Sequence, residues 1–134
     1  MSTQQATIVH VSIERPVARV YEIARNPKIM PQWATGLASG LIDKGDHFLV
    51  KAPFGTATLR FAPPNSFGIL DHWVTVDGGA TTYNSMRVVA NGTGTEVMFT
   101  LLRTPDMTDE DYARDVAWVH DDLTRLKTLI ESSV

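Results

Sequence analysis

Hydrophobic and polar residues alternate near the start of the chain, over residues 7–13. Val9, Val11 and Ile13 fall on one face of this segment, and polar residues fall on the other. A period of two residues is typical of a strand that is buried on one side only. The pattern therefore predicts a first β-strand.

The spacing then becomes helical. After Pro16, hydrophobic residues recur at i, i+3, i+4 and i+7, as Val17, Val20, Tyr21 and Ala24. This spacing is typical of an amphipathic helix, and proline commonly opens one. Asn26 followed by Pro27 predicts a second, shorter helical piece that ends near Trp33. Two short helices are therefore expected after the first strand.

Turn-forming sequences arrive at short intervals in the middle of the chain. They are Lys44-Gly45-Asp46, Pro53-Phe54-Gly55, Pro63-Pro64-Asn65, Asp77-Gly78-Gly79 and Asn91-Gly92-Thr93-Gly94. Such clusters separate the strands of hairpins. The segments between them predict six strands in an antiparallel meander, near residues 37–43, 46–52, 55–62, 67–77, 80–90 and 95–103.

A long helix is predicted near the C-terminus. Thr108 and Asp111 are spaced as a capping box, in which each side chain accepts a hydrogen bond from the other residue's backbone N–H. Apolar residues then recur every three or four positions and form one stripe, which consists of Tyr112, Val116, Val119, Leu123, Leu126 and Ile130. About 23 helical residues would extend about 35 Å, which is enough to cross a sheet.

Composition narrows the classes of function. The 134 residues are 43% hydrophobic and 20% charged, which predicts one globular domain, residues 1–134, with no membrane span. With no cysteine, the chain has no disulfide and no thiolate metal site. The net charge of −3 comes without a basic cluster, so nucleic acid is not an expected partner. The N-terminus has no signal-peptide pattern, so a cytoplasmic location is expected.

Three stretches of the sequence resemble one known family. Val11–Trp33 is similar to its opening strand, helix pair and Pro-x-Trp element, Asn91–Leu101 to its last hairpin, and Asp122–Glu131 to the end of its long helix. The family is the START-like, or SRPBCC, superfamily, which includes polyketide cyclase/dehydrase-like proteins and the Bet v 1-like plant allergens.

The resemblance implies an α+β helix-grip fold. In that fold a seven-stranded curved antiparallel sheet wraps around a long C-terminal helix, and two short helices lie between strands 1 and 2. It also implies a cavity between the sheet and the long helix. It says little about activity, because carriers, cyclases and co-chaperone-like domains share the scaffold.

Turn lengths decide which residues would face such a cavity, because paired residues lie on the same face of a sheet. A turn near Gly92 places Met86 on the face of Phe99, and this face is the less polar one. A two-residue turn at Gly78-Gly79 would add Trp73 and Asn84 to it. The residues expected to contact a ligand are Trp33, Trp73, Asn84, Met86, Phe99, Val97, Val119 and Leu123.

The candidate catalytic residues are Asp71, His72 and Arg60. A four-residue loop at 63–66 would make Arg60 and Asp71 diagonal neighbours inside the cavity, either as an ion pair or as a polar pair that orients a ligand. A three-residue loop at either turn would invert the faces and bring His72, Leu59 and Phe61 inward instead. His72 would then be the best general base in the chain, because the ordinary pKa of histidine is about 6.5.

Three functions are consistent with these features. The leading hypothesis is a domain that binds an apolar or aromatic small molecule, with no cofactor and no metal site. The second is a cofactor-free enzyme of the polyketide cyclase/dehydrase type, a lyase or isomerase that moves one proton. The third is a co-chaperone-like interaction module, with a filled cavity and an exposed apolar patch elsewhere. A homodimer is a candidate assembly.

Overall fold

The computed structural model describes residues 2–52 and 55–133, so the turn expected at Pro53-Phe54 lies outside the described residues. In the described part, β1 (Ala6–Ile13) and helix α1 (Val17–Arg25) precede two 3₁₀ turns, Met30–Gln32 and Thr35–Leu37. The elements that follow are β2 (Leu41–Asp43), β3 (Phe48–Ala52), β4 (Gly55–Phe61), β5 (His72–Val76), β6 (Thr81–Asn91), β7 (Gly94–Leu102) and helix α2 (Asp109–Ser132).

The seven strands form one antiparallel sheet in the order β1-β7-β6-β5-β4-β3-β2. Strands β2 to β7 follow one another as a meander, and β1 closes the order by pairing with β7. Helix α2 packs against β1, β7 and α1. The predicted helix-grip arrangement is therefore confirmed, although the second of the two expected short helices consists of the two 3₁₀ turns.

Helix α2 begins where the capping box predicts. The Thr108 hydroxyl accepts the backbone N–H of Asp111 at 3.0 Å, and the Asp111 carboxylate accepts the backbone N–H of Thr108 at 3.2 Å. These bonds satisfy backbone donors that a helix N-terminus otherwise leaves unpaired. The apolar stripe faces the core, where Leu123, Leu126 and Ile130 are buried. Among the described residues, no helix is long and apolar enough to cross a membrane.

The pairing of β6 with β7 follows the predicted register. Met86 lies opposite Phe99, and Val88 lies opposite Val97. Met86, Val88 and Val97 are buried. The inner face of these two strands was therefore predicted correctly.

The predicted pairing of β5 with β6 is wrong by one residue. His72, and not Trp73, lies opposite Asn84, while Trp73 lies opposite Tyr83. The reason is the turn, because Thr75 pairs with Thr81 and leaves residues 76–80, an odd number, between them. A shift of one residue moves every side chain of a strand to the other face. His72 therefore lies on the inner face.

Because β4 pairs with β5, the one-residue change in the β5 register also reverses the predicted faces of β4. Phe61 pairs with His72 and Arg60 with Trp73, so Phe61 lies on the inner face and Arg60 on the outer face. The loop between β4 and β5 covers residues 62–71 and not only 63–66, because β5 begins at His72 and not near residue 67.

Gly68 holds this long loop against β6. Its carbonyl accepts the backbone N–H of Val88 at 3.0 Å, and its φ is +71°. A Cβ at this position would lie 2.2 Å from the Val88 carbonyl oxygen. Only glycine combines this dihedral with so close an approach of two backbones. The position of Gly68 fixes where the chain enters β5.

Candidate functional site

A cavity of about 520 Å³ lies between the inner face of the sheet, α1, the 3₁₀ turns and α2. Its volume is within the range typical of small-molecule sites. Most of its wall consists of apolar and aromatic side chains, among them Met30, Trp33, Leu59, Phe61, Leu70, Val74, Met86, Phe99, Val119 and Leu123. The inner face of the sheet and the helix are therefore not fully packed against each other.

His72 is the polar residue on the sheet side of the cavity. Its ring lies between two aromatic rings, with centroids 6.0 Å from Phe61 and 6.0 Å from Phe99. Its Nδ1 lies 3.2 Å from the carbonyl oxygen of Leu70. Because a carbonyl oxygen can only accept, Nδ1 carries the proton, and Nε2 of the neutral ring keeps its lone pair.

Burial lowers the pKa of His72 below its ordinary value of 6.5. The hydrogen bond to Leu70 and the negative charge of Asp71 act in the opposite direction, but burial outweighs both. The imidazole is therefore neutral at pH 7. Nε2 has no hydrogen-bond partner among the described residues, so this face of the cavity offers one free acceptor.

Asp122 is the polar residue on the helix side. One of its oxygens, Oδ1, accepts the Thr35 backbone N–H at 3.3 Å, the Thr35 hydroxyl at 3.0 Å and Arg125 Nη1 at 2.9 Å. Burial raises the pKa of Asp122, and the bonds from Thr35 and the charge of Arg125 lower it by less. These contacts tie α2 to the second 3₁₀ turn.

Further polar and charged groups line the cavity near its other elements. The Arg25 guanidinium lies over the Tyr21 ring, 5.7 Å from the centroid. His47 Nδ1 lies 2.5 Å from Asp46 Oδ1 in the turn before β3. The site thus combines an apolar interior with a few polar groups, an arrangement common in small-molecule sites.

The residues predicted to contact a ligand are placed in three ways. Five line the cavity, namely Trp33, Met86, Phe99, Val119 and Leu123. Asn84 shares the inner face with His72, and Val97 is fully buried in the core, but neither belongs to the described lining. Trp33 is 6% exposed, and its indole N–H has no acceptor among the described residues.

Trp73 and two of the three candidate catalytic residues do not face the cavity. Trp73 and Arg60 pair with each other on the outer face, and both are exposed. Asp71 is buried, but its carboxylate bonds to groups outside the cavity. The expectation that Arg60 and Asp71 meet inside is wrong, because it used the β5 register that the odd-numbered turn shifts by one residue. The alternative order, with Leu59, Phe61 and His72 inward, is the observed one.

Asp71 forms an outer cluster with Arg87, Tyr83 and the backbone of Met86. Its Oδ1 accepts the Met86 N–H at 3.0 Å and Arg87 Nε at 3.2 Å, and its Oδ2 accepts Arg87 Nη2 at 2.9 Å and the Tyr83 hydroxyl. Burial raises the pKa of Asp71, but the hydrogen bonds from Arg87, Tyr83 and Met86 together lower it by more than burial raises it. The net shift of the pKa is therefore downward. Every oxygen of this carboxylate is occupied.

Sequence reasoning missed Asp122, Arg25 and His47 as cavity residues. Asp122 had a detectable signal, because it lies three positions after Val119 and next to Leu123 on the apolar stripe of α2. His47 lies in the turn before β3, next to the turn residues Gly45 and Asp46, and no periodic pattern marks it. In the described part of the chain, no group of three or more His, Asp or Glu side chains could hold a metal ion.

Comparison with known proteins gives structural matches only. No family model matches the sequence, and no curated protein does. Among solved structures, DynU16, a protein in the dynemicin biosynthetic locus, matches with a TM-score of 0.69 and 19% identity, over 95% of this chain and 47% of DynU16. The chain thus spans about half the length of DynU16.

Two further matches extend over whole chains. Ara h 8.0201 matches with a TM-score of 0.68 and 8% identity, over 96% of this chain and 99% of its own. The Aha1 dimer from Colwellia psychrerythraea matches with a TM-score of 0.72 and 14% identity, over 96% and 97%. Identities this low show the fold and leave the function open. The sheet order, the long C-terminal helix and these likenesses together show a helix-grip fold, which is the fold that the sequence resemblance implied.

Proposed function

We propose that this protein is a binding domain for an apolar or aromatic small molecule that carries a hydrogen-bond donor. The observation that carries the proposal is the cavity of about 520 Å³ with a neutral His72 in its aromatic wall. Apolar surface contributes about 25 cal/mol per Å² when it leaves water, which drives binding. The free Nε2 of His72 would select an orientation, because an unpaired acceptor in an apolar wall gains from a donor.

Intrinsic fluorescence tests this proposal directly, because Trp33 and Trp118 both line the cavity. The purified protein is titrated with a panel of aromatic, polyketide-like and acyl compounds. A ligand is expected to change tryptophan emission and to raise the melting temperature by about 5–10 °C at a hundredfold excess over its Kd. No change in emission or melting with any compound would contradict the proposal.

Two matched variants locate the binding. Val119→Phe adds volume at a residue that lines the cavity, and Val89→Phe adds the same side chain at a position that is 46% exposed on the other face of β6. The first variant is expected to weaken binding, and the second is expected to leave it unchanged. Equal effects would place the ligand outside the cavity.

A cofactor-free cyclase or dehydrase is the second candidate, and the free Nε2 of His72 favours it. In such a reaction Nε2 would take a proton from a carbon next to a carbonyl, and that carbon would then bond to a second carbonyl carbon. The imidazolium would return the proton to the new alkoxide, so no oxidant or reductant is needed. Turnover of a polyketide-like chain that survives His72→Phe would contradict this assignment.

The interaction-module hypothesis has one observation in its favour, an aromatic pair on the outer face. Trp73 is 38% exposed and Tyr83 is 45% exposed, and their ring centroids are 5.4 Å apart. The cavity counts against it, because that hypothesis predicts a filled core. Sedimentation equilibrium of the protein and of Trp73→Ser tests the homodimer. A dimer that Trp73→Ser disrupts would support the homodimer and the role of this aromatic pair in it, and a monomer at every concentration would contradict the homodimer.

A further inference from the structure

Asp122 uses its two carboxylate oxygens very unequally. All three hydrogen bonds to this side chain end on Oδ1, with Thr35 as the donor of two and Arg125 as the donor of the third. Oδ2 has no partner among the described residues, although the side chain is only 16% exposed. The lone pairs of Oδ2 can each accept a hydrogen bond. A largely buried residue that lines the cavity therefore has unused acceptor capacity.

The charge of Asp122 is already compensated. Arg125 Nη1 lies 2.9 Å from Oδ1, one turn further along the same helix. A ligand cation would therefore gain less here than beside an unpaired carboxylate. What the site lacks is a hydrogen-bond donor for Oδ2. A neutral hydroxyl supplies that donor without adding a second positive charge.

We propose that Asp122 is a second polar anchor of the cavity, and that the ligand is a neutral aromatic compound with two hydroxyl groups, one for Asp122 Oδ2 and one for His72 Nε2. This inference rests on the proposed binding function and gives its ligand class. His72 belongs to the sheet side of the cavity and Asp122 to the helix side. Two acceptors on facing walls select a molecule with donors near both ends, and they disfavour a ligand with ether or ketone oxygens at those ends.

The substitution Asp122→Asn tests this role sharply. The amide oxygen can keep the bonds from Thr35 and Arg125, and the amide NH₂ then takes the position of Oδ2. The variant would thus replace an acceptor in the cavity with a donor. Asp121→Asn is the matched control, because Asp121 is 65% exposed and does not belong to the described lining of the cavity.

Calorimetric titration uses a probe series of one size. The probes are the 1,5-, 2,6- and 2,7-dihydroxynaphthalenes, their monomethyl ethers, 2-naphthol, and 6-aminomethyl-2-naphthol as a cation. For the wild-type protein, the best diol is expected to bind about tenfold more tightly than its monomethyl ether. Asp122→Asn should abolish or reverse this preference, and Asp121→Asn should preserve it.

Each outcome separates the two levels of the proposal. If the diols, the ethers and 2-naphthol bind equally well and Asp122→Asn changes nothing, the Asp122 anchor is overturned while the binding function stands. If the aminomethyl probe binds most tightly, the ligand class is overturned, because Asp122 then acts as a charge. If no naphthalene probe binds but a compound of the fluorescence panel does, the ligand class is overturned and the binding function stands. If neither set binds, both levels fail. Melting curves of both variants check that they fold.

Discussion

Asp71 and His72 are neighbours in sequence, but their side chains lie in opposite environments. Asp71 bonds on the outer side to Arg87, Tyr83 and the backbone of Met86, and these bonds lower its pKa. His72 lies in the cavity wall with one hydrogen bond, from Nδ1, and burial lowers its pKa. The same direction of shift therefore keeps Asp71 charged and His72 neutral.

The difference between them separates structure from recognition. A buried polar group whose partners are all supplied by the chain stabilises the fold and has little left for a ligand. A polar group in a cavity wall with a free lone pair contributes little to the fold, but it can bind a ligand. Substitutions at these two positions should therefore separate folding stability from ligand affinity.

The largest effect is expected from Gly68→Ala, which would disturb both the Asp71 cluster and the cavity wall at His72. The new Cβ would overlap the Val88 carbonyl oxygen, and the φ of +71° would be strained. We expect a loss of about 3 kcal/mol of unfolding free energy, from the dihedral and the overlap together. Ligand affinity should fall too, because Gly68 fixes the entry to β5. Urea denaturation and calorimetric titration measure the two quantities.

Gly92→Ala is the control for that substitution. Gly92 has a φ of +60°, but no described atom lies within 4 Å of a Cβ built there. The unfolding free energy of Gly92→Ala should fall only by the dihedral cost of about 1–2 kcal/mol, and ligand affinity should not change. Equal losses for the two glycines would show that the close approach to Val88 has no energetic weight.

Asp71→Ala is expected to lower folding stability without changing ligand affinity. It removes the acceptor for Arg87, Tyr83 and the buried Met86 N–H, so we expect a loss of about 2–3 kcal/mol. Asp71→Asn keeps one acceptor oxygen and should lose less. Ligand affinity should stay within twofold of the wild-type value in both variants. A large loss of affinity with intact stability would mean that Asp71 acts in the cavity after all.

The pH dependence of Asp71 has a definite sign. Because its pKa in the folded state is lowered from 3.8, its contribution to stability is fully present above that pH and is lost as the pH falls through the lowered value. The stability difference between the wild-type protein and Asp71→Asn should therefore shrink below about pH 4. Urea denaturation at a series of pH values measures it, and a constant difference down to pH 2 would contradict the role of the charge.

Local signals were enough to predict most of the fold. The capping box at Thr108, the apolar stripe of α2 and the alternation in β1 each predict an element that the structure contains. The β6–β7 turn was also predictable, because a turn at Asn91-Gly92 and a turn at Gly92-Thr93 give the same faces, and the observed pairs have those faces. These features depend on residues close in sequence, so the sequence alone is enough to predict them.

The candidate site was less predictable, because one turn determines which side of β5 faces inward. Two glycines at 78–79 suggested an even-numbered turn, whereas residues 76–80 separate the paired Thr75 and Thr81. Because of that difference, His72 lies on the inner face, where Asp71 and Trp73 were predicted. The burial of Asp71 depends on Arg87, 16 positions away, which no local pattern shows. Loop length and long-range partners were therefore the missing information.

His72→Phe is expected to change ligand affinity and leave the fold intact. Phenylalanine fits between Phe61 and Phe99 and removes the acceptor, so affinity for a hydroxyl-bearing ligand should fall about tenfold. Unfolding free energy should stay equal or rise slightly, because a buried polar ring is replaced by an apolar one. His72→Gln keeps an acceptor near Nε2 and should retain more affinity. Loss of stability without loss of affinity would make His72 a structural residue.

The smallest effect is the pH dependence of binding. Protonation of Nε2 removes the acceptor and adds a buried charge, so a hydroxyl-bearing ligand competes with a proton. Because burial lowers the pKa of His72 below 6.5, affinity should be constant from pH 8 to pH 6.5 and fall only as the pH drops through the lowered pKa. Calorimetric titration across this range measures it.

Substitutions show which residue of the cavity causes this pH dependence of ligand affinity. His72→Gln should remove the part of the dependence that comes from the imidazole, because the amide does not titrate in this range. Asp122→Asn should remove any part that comes from the raised pKa of Asp122. His47→Gln, at the turn beside Asp46, should keep the dependence. If the slope persists unchanged in the His72 variant, the titrating group is not His72. The inner face of β5 would then lack the free acceptor that distinguishes it from the satisfied carboxylate on the outer side.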